Sequence, residues 1–86
     1  MEVLSYDVRQ LNHPEPLEIM TKALQKAQNG ALLEMIHRRE PFPLYDMIKA
    51  QNLDFFVTCE KNAENEIYHI FIAKKEVLQE YLESLK

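Results

Sequence analysis

The sequence predicts an α/β protein: a two-layer α+β sandwich with a four-stranded mixed sheet in the order β-α-β-α-β-β, followed by a C-terminal helix. Three observations predict it. Some short segments are alternating or continuously apolar, as strands are. Others place apolar residues three and four apart, as amphipathic helices do. The last two strand-like segments are separated only by Lys61-Asn62-Ala63-Glu64-Asn65, a polar turn that reads as an antiparallel hairpin. At 86 residues the chain is one domain. Residues 1–74 make its core, and residues 75–86 add an amphipathic helix to the same domain.

Glu2 to Val8 alternates, with Leu4, Tyr6 and Val8 on one face, and reads as a strand. Asn12-His13-Pro14-Glu15-Pro16 interrupts it, and proline suits the first turn of a helix, where its missing N–H is no loss. Leu17 to Gln28 carries Leu17, Ile19, Met20, Ala23, Leu24 and Ala27, a helical stripe closed by Asn29-Gly30. Ala31 to His37 is apolar except for Glu34 and reads as a central strand. A right-handed crossover then makes these first two strands parallel. Arg38 to Pro43 is a loop, Leu44 to Gln51 a short helix, and Asn52 its exit. Leu53 to Glu60 and Glu66 to Ala73 are the hairpin strands. Val77, Leu78, Tyr81, Leu82 and Leu85 form the stripe of the last helix, Lys75 to Lys86. The second and last strands are apolar on both sides, so the second sheet face needs cover. Either this helix or a second copy of the chain supplies it, and a stripe not packed on its own sheet would make the C-terminal helix a homodimer interface.

Composition excludes several functions. The single glycine, Gly30, removes glycine-rich phosphate loops and dinucleotide fingerprints. Fourteen acids against ten bases, a net charge of −4, argue against nucleic acid as a partner. No apolar run approaches a membrane span, and the N-terminus lacks the basic region of a signal peptide. Together with a lone cysteine, this places the expected location in the cytoplasm. No Gly-x-Ser-x-Gly elbow, Cys-x-x-Cys pair or His-x-x-x-His spacing occurs, so the sequence names no reaction, no metal site and no cofactor.

From Tyr6 to Lys74 the element order resembles the small TusA/SirA-type sulfur carriers. Leu11-Asn12-His13-Pro14-Glu15-Pro16 stands where they carry a Cys-Pro-x-Pro signature. His37-Arg38-Arg39-Glu40-Pro41-Phe42-Pro43-Leu44 is more similar to a related bacterial family of small domains of unknown function, which bears a His-x-Arg-x-Pro-x-Pro-Leu run. That family resembles the carriers in fold and lacks their cysteine, and some of its members are joined to hemerythrin-like domains. The resemblance implies the fold. It does not imply sulfur transfer, because His13 replaces the persulfide-bearing cysteine and imidazole cannot hold a persulfide.

In a parallel pair, both strand-to-helix handovers lie at one sheet edge, where ligands of open α/β sheets bind. His13, Pro14 and Glu15 sit at the first handover; His37, Arg38, Arg39 and Tyr45 sit at the second. Two helix N-termini, with N–H groups free to meet an anion, point to the same edge. These seven residues form the candidate noncatalytic site, for a small anionic ligand, a cofactor or a partner protein. Glu15 also complements the helix dipole, and Tyr45 also suits packing. Cys59 shares a strand face with Leu53, Phe55 and Val57 and is expected to be a buried, inert thiol.

Overall fold

Strand β1 (Val3–Asp7) pairs in parallel with β2 (Leu32–His37), with Tyr6 opposite Met35. β2 pairs antiparallel with β4 (Glu66–Ala73), and β4 with β3 (Asp54–Lys61), completing a sheet in the order β1-β2-β4-β3. Helices α1 (Glu15–Gln28) and α2 (Phe42–Ala50) follow β1 and β2, and α3 (Lys75–Ser84) follows β4. The structure is a computed structural model and describes residues 2–85. Met1 and Lys86, the latter at the end of the expected third helix, lie outside the described residues.

Strand alternation divides the core in two. Leu33 and Met35 of β2 and Ile70 and Ile72 of β4 face α1 and α2, where they bury Met20, Ala23, Leu24, Ala27, Leu44 and Ile48. The opposite parity, Leu32 and Ala73, packs on Leu78 of α3, with the Phe71 and Tyr81 rings 5.3 Å apart. The second sheet face thus receives its cover from the chain's own third helix.

Both α1 and α2 close on a left-handed residue. After α1, Gly30 has φ +99°, its N–H donates to the Ala27 carbonyl, and the Ala31 N–H donates to that of Lys26. After α2, Asn52 has φ +60°, and the Asn52 and Leu53 N–H groups donate to Lys49 and Ile48. These are paired C-terminal bonds of the Schellman type. The helix starts differ from the sequence reading. α1 begins at Glu15 rather than Leu17, and α2 at Phe42 rather than Leu44, because Pro16 and Pro43 are accommodated inside the first turn.

Cys59 also differs: it is exposed. Alternation does put it on the face of Phe55 and Val57, but the helix layer gives out along the edge strand. Leu53 before β3 is buried, Phe55 and Val57 are half-buried, and Cys59 is open.

Candidate functional site

The carboxyl ends of β1 and β2 open into two loops, and the loops enclose a pocket of about 210 Å³. Buried Met35 and Leu44 and half-buried Leu11 and Leu17 supply apolar surface. Pro16, Pro41 and Pro43 add rigid wall. His13, His37, Arg38, Arg39 and Glu40 supply the polar groups. One guanidinium nitrogen of Arg38 donates to Asn12 Oδ1 at 3.1 Å, tying the second loop to the first. A shallower hollow shares Arg38, Arg39 and Glu40 and is bordered by Phe42, Glu66 and Tyr68.

Four of the seven expected residues, His13, His37, Arg38 and Arg39, therefore line one pocket. Pro14 and Glu15 are exposed at the start of α1, outside the lining, and the His13–Pro14 peptide is cis. Tyr45 is used for packing. Its ring stacks on Phe55 at 4.3 Å and meets Phe42 edge-on at 5.7 Å. Burial, aided by Glu40, pushes its hydroxyl up to about 12, and the buried oxygen has no partner among the described residues.

The pocket's charge comes from side chains. Among the described residues neither Arg38 nor Arg39 forms an ion pair, so two guanidinium charges face the single carboxylate of Glu40. His37 Nδ1 accepts the Arg38 N–H at 2.9 Å, which puts the neutral ring's proton on Nε2 as a donor. Burial, then Arg38 and Arg39, hold His37 below its ordinary pKa.

The expectation that helix N–H groups stand free for an anion is corrected at α2 and for all but one first-turn donor at α1. At α2 the Phe42 N–H donates to Glu40, Pro43 has none, and the Leu44 N–H donates to Pro41. At α1 the Glu15 N–H donates to Asn12 and Pro16 has none, while the Leu17 N–H has no backbone acceptor among the described residues. The prolines that start the helices also remove or help satisfy the donors.

On the other sheet face lies a constellation that sequence reasoning missed. Ser5 donates to Glu34 Oε1 at 2.8 Å, and Glu34 Oε2 lies 2.9 Å from His69 Nδ1. His69 Nε2 lies 3.2 Å from Glu60. Each strand contributes one member: β1 Ser5, β2 Glu34, β4 His69 and β3 Glu60. The available signal was a polar residue at inward-looking positions of two otherwise apolar strands. The two carboxylates lie on opposite edges of the ring. Among the described residues no group of three or more His, Cys, Asp or Glu could hold a metal ion, and no helix is long and apolar enough to cross a membrane.

A family model described as an uncharacterized conserved protein, DUF2249, matches residues 5–74, about four fifths of the chain. The match spans the whole pocket. No curated protein and no solved structure matches significantly.

Proposed function

We propose that this chain, which belongs to the DUF2249 family of uncharacterized conserved proteins, is a noncatalytic module that binds an anion at the carboxyl edge of β1 and β2. One observation carries the reading: His13, His37, Arg38 and Arg39, from two loops 24 residues apart at their nearest (His13 to His37), line a single pocket, with no ion pair among the described residues to quench the arginines. Concave sites with apolar walls and a few convergent polar groups are where small ligands bind. Phosphate, acetate and benzoate, titrated separately against ¹⁵N-labelled protein, provide the test. At least one should shift the amides of residues 37–39, and the exposed pair R38E/R39E should abolish the shift while leaving the rest of the spectrum folded. Silence from all three anions would remove the reading.

A diverged member of a sulfur-relay pathway is the second reading. Its support is the β-α-β-α-β-β order with His13 at the opening of α1, the layout the TusA/SirA resemblance implies. It concerns a partner protein rather than a carried sulfur. Co-purifying partners should survive C59S, and their loss in that variant would indicate thiol chemistry instead.

A further inference from the structure

We infer that the pocket takes a small monocarboxylate whose apolar body is about the size of one six-membered ring. The body would rest on Leu11, Leu17, Met35 and Leu44, with the carboxylate on Arg38 and Arg39. This inference rests on the anion-binding reading above and adds the chemical class of the ligand.

Size comes first. A cavity of ~150 Å³ lined by apolar side chains holds one benzene molecule. The present pocket, at about 210 Å³, has room for a ring of that size and a carboxylate beyond it. It is below the ~300–1,000 Å³ typical of sites for drug-sized ligands and cofactors, which favours a ligand smaller than a nucleotide. Surface chemistry comes next. The deep side is made by Leu and Met side chains, which offer no hydrogen bond to a sugar or a hydrated ion. An inorganic phosphate would leave that surface wet, and among the first-turn N–H groups of α1 and α2 it would find only that of Leu17 without a backbone acceptor among the described residues, the others being bonded or replaced by proline.

Charge sets the rest. Two guanidinium groups against one carboxylate leave a single positive charge in excess, which matches a monoanion better than a dianion. Arginine presents paired N–H groups in the geometry a carboxylate accepts. Arg38 uses one nitrogen on Asn12, which orients the group and leaves its other N–H donors. The Nε2–H of His37 is a further neutral donor beside them.

The experiment compares benzoate with benzamide, acetate and inorganic phosphate, by amide and methyl shifts of the full chain. Benzoate should bind at least tenfold more tightly than each of the other three, moving the methyl signals of Leu17, Met35 and Leu44. R38Q/R39Q should weaken benzoate about tenfold or more, as loss of charged hydrogen bonds does, and leave benzamide unchanged. L17W, which fills the pocket from its half-buried wall, should remove benzoate shifts in a protein whose fold is checked by its remaining amides. Acetate or phosphate within threefold of benzoate would overturn the apolar-body inference and leave the anion site standing. Benzamide equal to benzoate would overturn the carboxylate. If no anion moves residues 37–39, both the inference and the reading beneath it are wrong.

Discussion

Replacing Leu78 by alanine tests whether α3 belongs to the core. Leu78 is 4% exposed and packs on Leu32 and Ala73, both fully buried, so it is the one buried side chain by which α3 holds the sheet. Leu→Ala in a core costs ~2–5 kcal/mol. The cluster is small and lies near the end of the chain, so partial collapse places the expectation near ~3 kcal/mol. A domain of 86 residues has roughly 4–13 kcal/mol in total, so roughly a fifth to three quarters of the stability is at stake. By the usual scaling for small domains, ~3 kcal/mol lowers Tm by roughly 12–24 °C. Thermal melts of wild type and L78A, at two protein concentrations, read it directly. A loss below ~1 kcal/mol, about 4–8 °C, would refute the reasoning. A loss that grows with dilution would show that the helix covers a second copy instead.

Three further outcomes are expected. G30A meets no atom within 4 Å but is held at φ +99°, so it should lose ~1–2 kcal/mol by backbone strain alone, seen as a lower urea midpoint with unchanged slope. Cys59 should react with a thiol reagent in the native protein about as fast as in urea, and strong protection would contradict its exposure. His37 is held below its ordinary pKa of 6.5, so the unfolded chain binds this proton more readily than the native one. Its contribution is therefore intact above 6.5 and declines as pH falls below it, and H37L should flatten the acid limb of stability against pH below 6.5. Equal slopes in the two proteins would reject the assignment.

How much of this was legible in the sequence depended on how local the cause was. Gly30 and Asn52 signal their left-handed exits in the chain itself, and both helices end there. The convergence of His13 with Arg38 was also legible, since parallel β1 and β2 force their following loops to one edge. Pro43 hid the start of α2, because a proline two residues into a helix reads equally as loop. Cys59 was misplaced because alternation reports which side a residue faces and says nothing of how far the helix layer extends. Of the Ser5–Glu34–His69–Glu60 ladder the sequence showed only polar residues within apolar strands, not their contacts. Register opposes Ser5 to Glu34 but sets His69 opposite Ile36 and Thr58, so its carboxylate contacts are diagonals that only the folded sheet defines.

The prolines have a consequence for how the pocket recognises charge. A helix N-terminus with free N–H groups holds an anion by short hydrogen bonds from fixed dipoles, which depend less on salt than the net charge of exposed side chains does. In α2 that option is closed, since the Phe42 and Leu44 N–H groups are bonded within the loop and Pro43 has none. Recognition then falls to Arg38 and Arg39, which are exposed; among the described residues Arg38 is tethered at Asn12 and the Arg39 side chain has no hydrogen-bond partner. Charges so placed are screened over ~10 Å at 0.1 M salt. Anion affinity should therefore fall clearly between low salt and ~0.5 M salt, through a slower on-rate more than a faster off-rate. The apolar contribution of Leu11, Leu17, Met35 and Leu44 should persist. An affinity that barely changes with salt would contradict recognition by these exposed charges and point to backbone N–H groups, with the Leu17 N–H, which has no backbone acceptor among the described residues, as the first to examine.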